Sequence, residues 1–197
     1  MGEVKRITPL LVVLVCAVGC SESPTPSPAE TSPSAAVSTA RTADGGECPR
    51  SGDADRTDAS STAYYYVAIS HCWDSMRDKN TAAGVLRAKE LMSVSWYEQQ
   101  KEGAGTRNTL QAQFGKAAKH ESYSVPKVSR TVGDVDEDVA ADKAVRGLTT
   151  EWSWLARDGS EKMPGGRDQQ IIYLEKQGGQ WMVVGSETTM TEEHDGA

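Results

Sequence analysis

The apolar and polar positions change rhythm several times along this chain. An almost unbroken apolar run fills 7–18, with Lys5 and Arg6 before it and the small residues Ala17-Val18-Gly19 at its close. At about a dozen residues it is shorter than the roughly 20 needed to cross a bilayer, and its flanks are those of a secretory leader, 1–19. Between 21 and 44 the pattern disappears, and Ser, Thr, Pro and Ala dominate, as in Ser23-Pro24-Thr25-Pro26-Ser27-Pro28. So little apolar surface cannot offset the entropy of ordering, so 20–52 reads as an extended tether. About 30 flexible residues give an r.m.s. reach of roughly 30 Å.

Helical spacing begins after Thr57 or Asp58, either of which can cap a helix N-terminus. Ala63, Tyr66, Val67, Ile69, Ser70 and Trp73 form one stripe, with Tyr65, Ala68, Cys72 and Met76 beside it, which predicts a helix over 59–76. A helix apolar over so much of its circumference is enclosed by the rest of its domain. A shorter helix is predicted over 81–92, after the polar break Asp78-Lys79-Asn80, and another over 109–119. Trp96-Tyr97-Glu98 and a glycine-containing loop, 102–105, lie between them.

After His120 the period falls to two. Strands are predicted over 125–132, 144–155, 169–176 and 180–186, with Leu148, Thr150, Trp152 and Trp154 on one face of the second. Gly178-Gly179 between the last two allows the positive φ angles of a tight primed turn. A long loop, 158–166, precedes the third strand, and 191–197 reads as a frayed acidic tail. The pattern as a whole is one α+β domain over 53–190.

Composition narrows the function classes. The 197 residues carry a formal charge of −7, which becomes −8 over the remaining 178 once the leader takes away Lys5, Arg6 and Glu3. An acidic excess disfavours a nucleic-acid partner and an electrostatic grip on anionic lipid. There is no phosphate loop, no G-x-S-x-G and no zinc-ligand spacing, so neither a metal nor a cofactor is expected.

Ala17-Val18-Gly19-Cys20 resembles the lipobox of bacterial lipoproteins, with Ala17 where that family usually has leucine. The resemblance implies that Cys20 receives diacylglycerol, becomes the new N-terminus and anchors the protein on the extracytoplasmic face of the cell membrane. Cys16 then leaves with the leader, and Cys48 and Cys72 remain as the pair available to form a disulfide in an oxidising compartment.

The element order, closing on Gly179-Gln180-Trp181-Met182-Val183-Val184, resembles the NTF2-like α+β cone. It is similar in particular to domains of that superfamily in secreted and membrane-tethered actinobacterial proteins. The resemblance implies a curved antiparallel sheet around the first helix, with a pocket at its open end. Tyr65, Trp73, Trp152 and Trp154 are then the candidate ligand-binding residues. Core packing competes for each of them, because consecutive helix residues point about 100° apart and at most one or two of Tyr64-Tyr65-Tyr66 can face a pocket.

That superfamily includes ketosteroid isomerases, in which a helix tyrosine holds an oxyanion and a desolvated aspartate moves a proton. The first-helix tyrosines match the former loosely. Positions 146, 148, 150, 152 and 154 offer Arg, Leu, Thr, Trp and Trp, with Glu151 on the opposite face, so no inward carboxylate is evident. His71 is the remaining acid–base candidate, and it has no carboxylate partner close in sequence. No catalytic residue is therefore assigned.

The expected function is a lipid-anchored binding or interaction module for an apolar small molecule or an envelope protein. The alternatives are a small isomerase or cyclase-like enzyme, and a structural subunit of an envelope or transport assembly. A buried Asp, Glu or His in the helix–sheet cavity is the feature that would favour the enzyme.

Overall fold

The computed structural model describes residues 47–105, 110–133 and 136–195. The leader, Cys20, most of the tether and the last two residues lie outside the described residues. Among the described residues, four helices precede and pack beside an open antiparallel sheet, an α+β arrangement. The helices are α1 (Ala59–Ser70), α2 (Ala82–Arg87), α3 (Val94–Gly103) and α4 (Leu110–Ala118). The strands are β1 (Tyr123–Arg130), β2 (Glu137–Ala140), β3 (Lys143–Leu155), β4 (Gly165–Gln177) and β5 (Gln180–His194). The sheet order is β1-β3-β4-β5, and β2 pairs with the start of β3 where β1 does not reach.

Asp58 starts α1 by accepting hydrogen bonds from the amides of Ser60 and Ser61, which satisfies two of the orphan donors at a helix start. The helix packs on β1, β3, β4 and β5. Ala63, Val67, Ala68 and Ile69 are buried completely or nearly so, and burying a side chain the size of Val67 or Ile69 contributes about 1.5–3 kcal/mol. The second helix crosses close to the end of the first. A Cβ at Gly84 would lie 2.3 Å from the Ser70 carbonyl oxygen, so that crossing requires a residue without a side chain.

The predicted helix over 59–76 stops six residues early. The Ser124 hydroxyl donates to the His71 carbonyl at 2.6 Å and accepts from the Trp73 amide at 2.7 Å, while the Ser124 amide donates to the Trp73 carbonyl at 2.8 Å. These bonds turn 72–74 away from the helix and toward β1, and Asp74 bridges to Tyr123. A Cys48–Cys72 disulfide, with Cα atoms 5.5 Å apart, holds the same corner to the start of the domain. Closing a loop of that size stabilises by about 3 kcal/mol in the chain-entropy model.

The hairpin at Gly178-Gly179 is present, with φ of 60° and 83° at the two glycines. The fifth strand, however, continues to His194, so most of the stretch expected to fray is paired. Thr191, Glu192 and Glu193 lie opposite Asp168, Arg167 and Gly166. Part of the outer edge of β5 is covered as well, since the Ser93 amide donates to the Val183 carbonyl and the Trp181 amide to that of Arg56. Two elements, α3 and β2, were not expected from the sequence.

Candidate functional site

The inner face of the sheet is set by parity along β4. Asp168, Gln170, Ile172 and Leu174 are buried, and Arg167, Gln169, Ile171 and Tyr173 between them are not. This inward row runs from apolar side chains near the hairpin to polar ones at the opposite end. Asp168 lies between Thr150 of β3 and Thr191 of β5. At that polar end the sheet stands apart from the helices, leaving a cavity of about 470 Å³. Tyr66, Ser70 and His71 reach it from α1 and its C-terminus, Ala82 and Val85 from α2, and Trp96, Gln99 and Gln100 from α3. Asp168 and Gln170 of β4 and Ser186, Thr188 and Thr191 of β5 form the sheet side, while Trp73 and Thr81 line it from the connection after α1.

The central contact is a buried ion-pair geometry. His71 and Asp168 are 3 % and 4 % exposed, and the imidazole Nε2 lies 3.0 Å from Asp168 Oδ2. The other ring nitrogen, Nδ1, lies 3.0 Å from the Val67 carbonyl oxygen. The rings of Trp73 and Trp152 are at 5.3 and 5.5 Å from the imidazole, fixing its plane. Asp168 Oδ1 is buried and makes no hydrogen bond among the described residues, and Thr150 Oγ1 on the paired strand is likewise without one. A buried carboxylate oxygen left without a donor is costly, and such atoms in folded proteins call for a ligand or a water.

This corrects the expectation that no inward carboxylate faces the first helix. The strand predicted over 169–176 begins one residue too late to include Asp168. Extending the same alternation one step back from Gln170, with the parity fixed by Ile172 and Leu174, places it inward.

The four aromatic candidates separate. Trp73 lines the cavity, with its indole donating to the Thr81 carbonyl at 2.8 Å. Tyr65 packs against the main core in an edge contact with Tyr64, and it is Tyr66 that faces the cavity. The Tyr66 hydroxyl accepts from Trp96 Nε1 at 3.2 Å, and burial pushes its pKa up despite hydrogen bonds with Trp96 and Ser186 that act the other way. Trp152 and Trp154 belong to a second cluster with Trp73, Phe114 and Met163. Both indoles donate to Gln113 Oε1, at 2.8 and 2.9 Å, and Gln113 Nε2 donates to the Gly165 carbonyl at 2.7 Å. Neither of these tryptophans is on the cavity wall.

The remaining histidines lie away from this site. His120 pairs with Asp158 at 2.8 Å on the surface, where the imidazole and Ser160 hold the Asp158 carboxyl down at about 2. His194 ends β5 opposite Gly165. A larger hollow of about 760 Å³ lies beside the disulfide. There Arg87 is engaged with Asp78 and the Cys72 carbonyl, and Arg77 with Asp74. The smaller cavity, which combines a buried Asp–His pair with aromatic walls, is the better candidate.

No protein-family model matches the chain, and no curated protein is similar to it in sequence.

Proposed function

We propose that this protein is a lipid-anchored extracytoplasmic binding module of NTF2-like type, whose ligand occupies the cavity between α1, α2, α3 and the sheet. The observation that carries this reading is the cavity itself, where the aromatic side chains of Tyr66, Trp73 and Trp96 share a wall with the buried His71–Asp168 pair. The NTF2-like assignment is supported by α1 packing on β1, β3, β4 and β5, and by a cavity at one end of that interface. The anchor rests on the lipobox-like Ala17-Val18-Gly19-Cys20, and among the described residues no helix is long and apolar enough to cross a membrane. Two acyl chains suffice for stable attachment where one does not. Replacing Cys20 by Ala should move the protein out of the membrane fraction or leave it unprocessed.

A fragment screen by ligand-observed NMR tests the binding reading, with Ala104→Trp as the control. Ala104 lines the cavity, is partly exposed and lies just beyond the end of α3, so an indole there fills the space without entering either core. Hits that bind the parent protein and are lost in Ala104→Trp support the reading. A screen without hits, or with hits indifferent to that change, refutes it.

A second reading, proton-transfer catalysis, is favoured by the buried Asp168 and His71 in the helix–sheet cavity, the feature set out above as favouring the enzyme, with the Tyr66 hydroxyl in the same cavity. His71 would not act on substrate directly, since both its ring nitrogens are engaged; it would position Asp168. Turnover of a cavity ligand, lost in Asp168→Asn while binding persists, would establish this reading over simple capture.

A further inference from the structure

The inner wall of the cavity shows solvent almost no surface. Tyr66, His71, Trp73, Thr81 and Asp168 line it and are between 2 % and 4 % exposed, and Gln170 beside them is 8 % exposed. A small molecule cannot reach these groups until part of the wall moves aside.

The elements around the cavity differ in how firmly they are held. Most residues of α1 are buried, β4 and β5 carry Ile172, Leu174, Trp181 and Val183 into the core, and α2 is pressed at Gly84 against the Ser70 carbonyl. The third helix has no buried residue, although Trp96, Gln99, Gln100 and Gly103 on it all line the cavity. Its Trp96 and Tyr97 are partly buried against the main core. Local opening is easiest where the fewest buried apolar contacts are lost, which singles out α3.

The start of that helix, by contrast, is fixed. Leu91 and Met92 are buried just before it, the Ser93 amide donates to the Val183 carbonyl at 2.9 Å, and the Ser93 hydroxyl accepts from the Trp96 amide at 3.2 Å. One turn on, the Trp96 indole reaches the inner wall, where Nε1 donates to the Tyr66 hydroxyl at 3.2 Å. Ser186 also hydrogen-bonds that hydroxyl, so Tyr66 keeps a partner when the indole leaves.

We infer that α3 is the lid of the cavity: it opens from a fixed point at Ser93, and the Trp96–Tyr66 hydrogen bond is its latch. That ligand enters by this route rests on the binding reading above, whereas the opening itself needs no ligand.

Gln170→Cys places a thiol on the inner wall, and Ser153→Cys places one on the exposed outer face of β3 as a reference. Alkylation by iodoacetamide in native buffer is followed at each peptide by mass spectrometry, with global stability measured in urea. Gln170→Cys should react at least about tenfold more slowly than Ser153→Cys, yet faster than the globally unfolded fraction permits. Trp96→Phe keeps an aromatic ring and removes the latch donor. It should speed alkylation of Gln170→Cys by about two- to tenfold, the weight of one neutral hydrogen bond, and leave Ser153→Cys unchanged. By hydrogen exchange, the amides of α3 should exchange before those of α1 in the parent protein, and sooner still in Trp96→Phe. Equal rates at the two thiols would show a cavity that is already open, and alkylation through global unfolding alone would show one that does not open. Alkylation indifferent to Trp96→Phe would place the opening elsewhere on the rim. Each of these results overturns the inference and leaves the binding reading to the fragment screen. If Gln170→Cys does not fold, hydrogen exchange decides: α3 amides as protected as those of α1, or unmoved by Trp96→Phe, overturn the lid.

Discussion

His71 and Asp168 stand 97 residues apart in the chain and meet with Nε2 and Oδ2 at 3.0 Å, both buried. The contact joins the C-terminal end of α1 to the polar end of β4, so it closes the domain there and holds both side chains in place beside the cavity.

Removing one partner of a buried pair leaves the other uncompensated, at a cost of about 3–5 kcal/mol. The sequence shows no carboxylate partner for His71, and the structure supplies Asp168. His71→Ala should lower stability by about this amount in urea denaturation, and His71→Ala with Asp168→Ala should cost less than the two single changes added together. A loss below about 1 kcal/mol for His71→Ala would mean that the pair contributes little.

Gln113 should behave as a core residue with no part in binding. Replacing it by Leu abandons two buried indole donors and the Gly165 carbonyl, at about 1–3 kcal/mol for each group left unsatisfied. Gln113→Leu should therefore melt at a markedly lower temperature, yet bind cavity ligands with unchanged affinity while still folded. Weaker binding by well-folded Gln113→Leu would return Trp152 and Trp154 to the site.

Acid stability should depend on Asp74. Burial raises the pKa of this carboxyl, but Arg157, bound to both its oxygens at 3.0 and 2.9 Å, the Met76 amide and the charge of Arg77 outweigh that and hold it below its usual value. A carboxyl depressed in the folded state contributes stability that is fully present above its unfolded value of about 4 and is lost as pH falls through the folded value. Arg157→Met leaves burial unopposed by the guanidinium, so its acid-unfolding midpoint, followed by circular dichroism, should lie at higher pH than the parent's. Coincident midpoints would contradict this.

Much of the fold was legible because local chemistry and burial agree. The apolar stripe of α1 as far as Ser70, the inward Trp152 and Trp154, and the glycine turn at 178–179 appear where the pattern puts them. The third helix was missed because none of its residues is buried, so it carries no apolar stripe; its one local signal was Ser93, whose hydroxyl caps the Trp96 amide. The far end of β5 was read as a tail because Glu192 and Glu193 look like solvent residues, and only pairing with β4 makes them a strand. The site was hidden for a related reason. A histidine at the end of a helix and an aspartate at the end of a strand become partners only through the packing of α1 on the sheet. The choice among three consecutive tyrosines likewise depended on the rotation of α1, which brings Tyr66 and not Tyr65 to the cavity.

The central claim is that ligand enters the cavity beside Trp73, Trp96 and Asp168, and not the tryptophan cluster around Gln113. The five tryptophans give five indole N–H signals, so the claim can be tested directly by ¹H–¹⁵N NMR during titration with a hit from the fragment screen. The account predicts saturable shifts of the Trp96 and Trp73 indoles, absent in Ala104→Trp, while those of Trp152 and Trp154 stay in place on Gln113. Shifts confined to Trp152 and Trp154, or saturable binding that moves neither Trp73 nor Trp96, would contradict it.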